Sequence, residues 1–317
     1  MESRMRITFF SLLGASLLVA ALILVASRQK PKAPGQVAQY GDSLDKPRGL
    51  AVDAKDGLVY VTDSLHDRVQ KRTLGGSVLG YIGHSGSGDG EFQQPCDVAV
   101  DAQGDLYVAD TFFTTDPNNM PPWGKVEKFS PTGVFVASFG QGQAQGTLFG
   151  PRAIAVDKAG NVYLSDTGNC RILKYGPNGD FLTQWGKRGS GPGQFIEPFG
   201  LAFDKQGFLY VADRLNFRIQ VFRADGSFVR QWKVDGWDQT QINMEPYLAI
   251  DQAHGWVYAS DPTRNKVHRW DLRGRHEKIY TQSESGPLSL PTGLAVAPDG
   301  SLLVTNDGTN SVVTVKP

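Results

Sequence analysis

Two carboxylates occupy matching positions of the sequence. Glu197 and Glu245 each come directly before a proline that opens a recurring phrase, and Arg48 and Arg152 come directly after the proline of two other copies. Matching positions of a repeat face the same way when the copies stack, so we expect these side chains to share one site. Paired carboxylates attract hard cations, and the pattern predicts a metal role for the two glutamates, with calcium the natural divalent cation. The alternative is a solvated charged rim.

Other residues near these positions suit ligand contact. Phe199 and Tyr247 follow the proline of their own copies, where Arg48 and Arg152 stand in theirs. The second copy also carries an insertion, Thr111–Trp123, with Phe112, Phe113 and Trp123 among its apolar residues. Exposed apolar loops tend to mark interaction sites, although this loop could also fold back over the rim.

Several kinds of chemistry are disfavoured by the sequence. There is no Gly-x-Ser-x-Gly nucleophile motif. The five histidines form no set of three expected to converge on zinc. The glycine-rich segments Gly86–Phe92 and Gly189–Phe195 precede β-rich phrases rather than helices, which predicts turns rather than phosphate cradles. No disulfide is predicted between Cys96 and Cys170.

The phrases recur six times, at spacings of roughly 45 to 50 residues in most copies. Each first phrase is followed by a second short β-rich run, with a glycine before it where a tight hairpin needs positive φ. Third and fourth runs follow in most copies. The first phrases are Pro47–Asp53, Pro95–Asp101, Pro151–Asp157, Pro198–Asp204, Pro246–Asp251 and Pro291–Ala297; the second are Leu58–Asp63, Leu106–Asp110, Val162–Asp166, Leu209–Asp213, Val257–Asp261 and Leu302–Asn306.

Four strands per unit and six units predict an all-β fold, a six-bladed β-propeller of four-stranded blades over residues 36–317. The last unit ends after its third strand. The phrase at residues 37–41 resembles the fourth phrase of other units, and is predicted to complete the last blade. We call "top" the face that carries the connectors entering each unit and the loops after each second strand.

The phrases Pro198–Asp204 and Leu209–Asp213, together with Asn216–Phe222 and the connector Gly189–Phe195, resemble the NHL repeat family. This resemblance implies binding loops on the top face. The sequence therefore favours a domain that binds a protein, peptide or glycan there over an enzyme. The alternative is a metal-dependent lactonase- or lyase-like enzyme of the six-bladed type. The zinc histidines of the NHL-like lyases are missing after the repeat prolines, which counts against that lyase chemistry.

In five of the six units the second strand ends in an aspartate, and in four of these a base follows five residues later. Joint loss of both charges in the sixth unit, where Asn306 and Ser311 stand instead, predicts a repeated structural ion pair. The expected pairs are Asp63–Arg68, Asp166–Arg171, Asp213–Arg218 and Asp261–Lys266, with Asp110–Lys125 across the insertion.

The N-terminal region differs from the rest. Ile7 to Ala26 carries no charge and is long enough to span a bilayer, so residues 1–27 are predicted to be a signal-anchor or a cleaved signal peptide, and residues 28–35 a linker. The propeller is then expected outside the cytoplasm, either anchored to a membrane or secreted, in the periplasm or extracellular space. Lys+Arg and Asp+Glu are both 32, and this zero net charge disfavours nucleic-acid binding.

Overall fold

The computed structural model describes residues 44–111, 124–141, 146–237 and 245–317. Within these ranges the regular structure is β-strand with short 3₁₀ turns, and no α-helix occurs. No helix long and apolar enough to cross a membrane is found in this part of the chain. The predicted N-terminal helix and the insertion residues Phe112, Phe113 and Trp123 lie outside the described residues.

The strands form six antiparallel sheets, which are the blades of a propeller. Five blades have four strands that run from the inner to the outer position in chain order, and the sixth has three. The strands are Pro47–Asp53, Leu58–Asp63, Arg68–Thr73 and Val78–Ile82 in blade 1; Pro95–Val100, Leu106–Thr111, Gly124–Phe129 and Phe135–Phe139 in blade 2; Pro151–Val156, Val162–Asp166, Arg171–Tyr175 and Phe181–Trp185 in blade 3; Pro198–Phe203, Leu209–Asp213, Arg218–Phe222 and Phe228–Lys233 in blade 4; Leu248–Asp251, Trp256–Asp261, Lys266–Asp271 and Lys278–Tyr280 in blade 5; and Pro291–Val296, Leu302–Asn306 and Ser311–Val315 in blade 6. The predicted six-bladed fold is confirmed.

Shorter elements of secondary structure lie on the top face. A 3₁₀ turn follows the second strand of five blades, at Ser64–His66, Thr167–Asn169, Arg214–Asn216, Pro262–Arg264 and Asp307–Thr309. Two connectors contain short strand pairs, His84–Ser85 with Glu91–Phe92 and Gln282–Ser283 with Gly286–Pro287.

Burial changes from the axis to the edge of each blade. The second strand of blade 3, Val162–Asp166, is buried at every position, whereas the outer strand Phe181–Trp185 alternates between half-buried and exposed side chains. A sheet that is covered on both faces by neighbouring blades needs apolar residues on both faces, which explains the continuous Val-Tyr-Leu-type runs. The apolar core is divided into six clusters, one between each pair of neighbouring blades.

The ring closes between the first and last blades. Leu50 and Val59 of blade 1 share one hydrophobic cluster with Leu303 of blade 6. Thr305 Oγ1 donates a hydrogen bond of 2.7 Å to the carbonyl of Arg48. The closing strand predicted at residues 37–41 lies outside the described residues, so its role stays a prediction.

An aromatic or aliphatic side chain from each of four outer strands packs on a glycine of the next blade. Trp185 covers Gly226, and a Cβ at Gly226 would lie 2.7 Å from the indole. Gly226 also has a φ of 88°, in the left-handed region that favours glycine. The same packing joins Ile82 to Gly133, Phe139 to Gly179 and Trp232 to Gly274. These contacts explain why glycine ends the turn between the third and fourth strands.

We expect Gly226→Ala to lower the free energy of unfolding by about 2 to 4 kcal/mol. Positive φ costs an alanine about 1–2 kcal/mol, and forcing a methyl group into packed Trp185 adds a comparable amount. Gly207→Ala is the matched control, because Gly207 has a φ of 84° but nothing within 4 Å of its Cβ position. Urea unfolding of both variants measures the difference. Equal destabilisation would show that the Trp185 contact contributes nothing.

Candidate functional site at the channel mouth

The acidic residue that ends each second strand fixes the connector on the top face. Asp213 is fully buried, and its Oδ1 accepts a hydrogen bond of 2.9 Å from the backbone N–H of Ile196, two residues before the repeat proline. The same bond recurs in four other blades, from Asp45, Gln93, Phe149 and Ser289 to Asp63, Asp110, Asp166 and Asn306. These bonds set the positions from which the residues around each proline reach the axis.

The predicted ion pairs are confirmed in three blades. Arg68, Arg171 and Arg218 approach Asp63, Asp166 and Asp213 at 2.8, 2.6 and 2.8 Å. Two predicted pairs are wrong, those of Asp261 with Lys266 and of Asp110 with Lys125. Asp261 lies 3.4 Å from His268 and 3.8 Å from Arg264. Lys125 pairs with Glu127, a closer carboxylate on its own strand.

Three charged side chains from alternate blades meet at the top of the central channel. Arg48 Nη1 of blade 1 lies 3.3 Å from Glu245 Oε2, and Arg152 Nη1 of blade 3 lies 3.7 Å from Glu245 Oε1. Residues of blades 1, 3 and 5 can meet only near the axis. The structure therefore brings together Arg48, Arg152 and Glu245, as the sequence predicted for matching positions.

The Arg48 guanidinium is buried with spare hydrogen-bonding capacity. The Arg48 residue is only 6 % exposed, and its Nη1 makes no hydrogen bond in the described structure despite its nearness to Glu245. A buried donor without an acceptor is costly, so this atom favours an additional acceptor at the mouth.

Aromatic residues border the charged group. Phe199 is buried, with Arg152 Cζ 5.7 Å and Arg214 Cζ 5.9 Å from its ring centroid. Tyr247 is also buried, and its Oη donates a hydrogen bond of 2.7 Å to the carbonyl of Cys96 in blade 2. This bond crosses the ring from one blade to the opposite one. We call Arg48, Arg152, Phe199, Glu245 and Tyr247 the mouth cluster.

The two glutamates are engaged by arginines. Glu197 pairs with Arg214, the first residue of the 3₁₀ turn in its own blade, and Glu245 pairs with Arg48 and Arg152. A cation bound by either carboxylate would have to compete with a guanidinium. No group of three His, Cys, Asp or Glu side chains suited to a metal ion occurs among the described residues. The metal role of Glu197 and Glu245 stays a prediction.

The remaining reactive groups near the axis are held unreactive by burial. Burial raises the pKa of the Cys96 thiol to about 12, and Cys96 Sγ donates to the carbonyls of Ala109 and Pro151. A thiol with this pKa is not a nucleophile at neutral pH. Burial also raises the pKa of Tyr247 well above its usual range.

Sequence reasoning missed Asp97, which is buried beside the axis. Asp97 occupies the position of Gly49 and Gly293 in other blades, and it accepts hydrogen bonds from the N–H groups of Val98 at 2.9 Å and Ile154 at 3.0 Å. Burial raises its pKa to about 8. The signal in the sequence was an acid where every other copy has glycine, alanine or leucine.

The fold and the mouth cluster define this chain as a six-bladed β-propeller with a polar and aromatic opening on its top face. The family model for the NHL repeat matches residues 44–71, 150–175 and 195–222. Three segments of the propeller are therefore NHL repeats, as the sequence phrases indicated.

Comparison with curated proteins finds partial relatives. The chain is 33% identical over 176 residues to peptidylglycine alpha-amidating monooxygenase of Rattus norvegicus, and 34% identical over 150 residues to peptidyl-glycine alpha-amidating monooxygenase A of Xenopus laevis. These alignments cover 50% and 44% of this chain but only 17% and 15% of the relatives.

Solved structures share the fold at low identity. They include a gluconolactonase from Xanthomonas campestris, with a TM-score of 0.60 and 16% identity over 87% of both chains. Virginiamycin B lyase from Staphylococcus aureus has a TM-score of 0.58 and 13% identity over 89% of this chain and 99% of that one. A chain of a nidogen/laminin complex has a TM-score of 0.58 and 17% identity over 82% and 88%. At this identity the likeness establishes the fold alone.

Proposed function

We propose that the chain is a binding domain whose ligand, a protein, peptide or glycan, docks on the top face over the mouth cluster. The observation that carries this proposal is the buried Arg48 guanidinium, which lies 3.3 Å from Glu245 but whose Nη1 makes no hydrogen bond within the described residues. Concave sites that combine a few convergent polar groups with aromatic side chains are typical of ligand binding.

Apolar residues on the same face extend the proposed surface. Leu65, Phe149 and Leu290 are 53%, 39% and 39% exposed, and all three lie in the 3₁₀ turns or connectors of the top face. Apolar side chains around a polar opening would add contact area for a ligand larger than the opening. Phe112, Phe113 and Trp123 of the insertion are proposed to contribute further apolar contacts from blade 2.

We further propose that the propeller works outside the cytoplasm. The uncharged segment Ile7–Ala26 would anchor it to a membrane or direct its export. A tethered propeller that presents its top face to soluble or surface-bound partners is consistent with this arrangement. Part of a nidogen/laminin complex shares the fold, which supports a binding role by analogy.

Site-directed photo-crosslinking tests which face binds. A photoreactive phenylalanine derivative at Leu290 on the top face should crosslink a ligand in the producing cell. The same group at Lys55 or Lys205, which are exposed in bottom hairpins, should not. Crosslinks formed only from the bottom positions, or equally from both faces, would contradict top-face binding.

The second candidate is an enzyme of the lactonase or lyase type. It is favoured by the partial similarity to an amidating monooxygenase and by the shared fold of a gluconolactonase and virginiamycin B lyase. Such a function would need catalytic groups at the mouth, where Glu197 and Glu245 are candidate carboxylates, each paired with arginine. Stoichiometric divalent metal in the purified full chain, measured by elemental analysis, would favour this candidate.

We expect any stabilisation by calcium to depend on the two glutamates. In that case added calcium raises the melting midpoint of the native protein, and the double variant Glu197→Gln with Glu245→Gln no longer responds, because amides bind calcium more weakly than carboxylates. Glu284→Gln, at an exposed position of blade 5's connector, is the control and should respond normally. A native protein that calcium does not stabilise removes this metal site.

A further inference from the structure

The connectors that enter blades 2 and 4 share one backbone structure. Residues 86–94 and 189–196 carry glycines at the same positions and form the same hydrogen bonds. In each connector, one glycine N–H donates to a phenylalanine carbonyl, and two further glycine N–H groups donate to side chains. The bonds are Gly86 to Phe92, Gly88 to Glu91 and Gly90 to Glu127 in the first connector, and Gly189 to Phe195, Gly191 to Gln194 and Gly193 to Gln220 in the second. The two connectors therefore differ mainly in the side chains that hold them.

A buried acid holds the blade 2 connector where a buried amide holds the blade 4 connector. Glu127 Oε2 accepts from the N–H of Gly90 at 3.4 Å, and Gln220 Oε1 accepts from the N–H of Gly193 at 2.9 Å. No other blade has an acid at this position of the third strand. Since an amide is sufficient for the same loop, the negative charge of Glu127 is not needed to build it.

Glu127 lies in a buried cluster with Asp110 and Lys125. Asp110, Lys125 and Glu127 are 0%, 2% and 0% exposed. Lys125 forms an ion pair with Glu127, and its Nζ donates a hydrogen bond of 2.7 Å to the carbonyl of Gly88. Asp110 accepts from two backbone N–H groups at the other end of the connector. The cluster therefore holds residues 86–94 at both ends.

This cluster contains one carboxylate more than its counterpart in blade 4. There, Asp213 lies 2.8 Å from Arg218, and the third group is the neutral amide of Gln220. In blade 2, two carboxylates share one ammonium group. With all three groups charged, the cluster would hold an unmatched negative charge away from water, which is costly. One bound proton removes that charge.

The surroundings of the cluster favour the bound proton. Burial raises the pKa of Asp110 to about 7 and also raises the pKa of Glu127. The charge of Asp89, in the connector, raises the pKa of Glu127 further. The lysine opposes both shifts but can match only one of the two carboxylates.

The other charged side chains of the connector lie outside the buried cluster. Glu91 is half-buried, and its Oε1 lies 3.3 Å from Nε2 of exposed His84. The hydrogen bond from the N–H of Gly88 lowers the pKa of Glu91. Glu91 therefore ionises at a lower pH than the buried pair. Asp116 of the insertion lies outside the described residues.

We propose that Asp110, Lys125 and Glu127 form a proton-dependent latch that holds the connector, residues 86–94, on the top face. With one proton bound to a carboxylate, the cluster is neutral and the connector stays in place. When that proton is released to solvent, one carboxylate is unmatched, and the connector detaches locally so that water reaches the charge. This device does not depend on the function proposed for the mouth cluster.

The direction of the pH dependence follows from the raised pKa. The closed connector keeps a proton that the open connector loses between about pH 4 and pH 7. Closing is therefore most favoured in acid and becomes less favoured as the pH rises through this window. The connector leads directly into Cys96, whose carbonyl accepts the Tyr247 hydrogen bond across the ring. Its detachment would therefore alter one side of the channel mouth.

Hydrogen exchange of the full chain, followed by mass spectrometry at pH 5 and pH 8, tests the proposal. After correction for the intrinsic pH dependence of exchange, protection of residues 86–94 should be about tenfold or more lower at pH 8, because one proton is linked to closing. Residues 189–196 are the internal control, because their cluster has matched charges, and their protection should change by less than about threefold.

Two glutamate variants locate the effect. Glu127→Gln copies the amide of blade 4 and should keep the connector protected at pH 8. Glu91→Gln makes the same change outside the buried cluster and should retain the pH dependence of the native protein. Unchanged melting midpoints at pH 5 show that both variants are folded.

Three results would overturn the proposal. They are equal protection of the native connector at both pH values, the same loss of protection in Glu127→Gln, and equal loosening of the two connectors. Restored protection at pH 8 on addition of calcium would also overturn it, because a cation rather than a proton would then match the extra carboxylate.

Discussion

Replacing Asp213 with asparagine is expected to lower the free energy of unfolding by about 3 kcal/mol. Asp213 is fully buried, and its Oδ2 accepts from Arg218 Nε at 2.8 Å. The amide would keep an acceptor for the N–H of Ile196 but would leave the buried Arg218 guanidinium without a counter-charge. Removing one partner of a buried ion pair costs about 3–5 kcal/mol, and the retained hydrogen bond places this variant at the low end. Urea unfolding at neutral pH measures the loss.

Blade 6 supplies the control for this prediction. It carries Asn306 and Ser311 in place of the aspartate and arginine, and Asn306 Oδ1 still accepts the connector N–H of Ser289 at 2.7 Å. The double variant Asp213→Asn/Arg218→Ser copies this neutral arrangement into blade 4. Its loss of unfolding free energy should be smaller than the sum of the losses in the two single variants, because it leaves no unpaired charge. Strict additivity would contradict a coupled pair.

The repeat phrases were sufficient to predict most of the fold. A proline, a short apolar run and an acid at a regular spacing specify an inner strand and its hairpin, and six such units close on themselves. The glycine after the third strand has a second role, besides forming a turn, that depends on the neighbouring blade. Gly226 adopts a positive φ and also packs against the indole of Trp185. No local sequence pattern indicates this contact.

The ion-pair prediction failed where a third residue competes for the charge. Gln70 and Gln220 stand two residues after Arg68 and Arg218, and each donates to the same aspartate as that arginine. Blade 2 has Glu127 at this position, and the Glu127 carboxylate forms an ion pair with Lys125. Blade 5 has His268 there, which approaches Asp261 directly and also lies 2.7 Å from Glu277. The fixed spacing rule therefore holds in the blades where the third residue is Gln70, Leu173 or Gln220.

The mouth cluster was predicted in part. The position after each proline placed Arg48 and Arg152 near the axis, and the position before it placed Glu245 beside them. Glu197 has the same sequence position as Glu245, yet it pairs with Arg214 of its own blade. The difference arises because the residue after the strand-ending aspartate is Arg214 in blade 4, whereas Pro262, which has no charge, occupies it in blade 5. Contacts across the ring, such as Tyr247 to Cys96, join residues too distant in sequence for any pattern to reveal.

The stability of the protein is expected to fall as the pH rises toward 8, and Asp97→Asn should flatten this dependence. Burial raises the pKa of Asp97 from 3.8 to about 8 in the folded chain, so the folded state holds a proton that the unfolded state has lost between about pH 4 and pH 8. The free energy of unfolding therefore decreases as the pH rises from about 4 to about 8. The stabilisation that comes from protonated Asp97 is fully present only below about pH 4. Burial raises the pKa of Asp110 to about 7, which adds a second decrease of the same sign.

An asparagine at position 97 has nearly the shape of the protonated acid and cannot ionise. Its carbonyl can accept only one of the two backbone bonds, from Val98 or Ile154, so the variant starts less stable at low pH. Between pH 6 and pH 9 its melting midpoint should fall less steeply than that of the native protein, and the two curves should converge or cross near the upper end. Parallel curves over this range would mean that Asp97 does not titrate there. In that case the carboxylate would be ionised throughout, stabilised by its two backbone donors against the cost of burial.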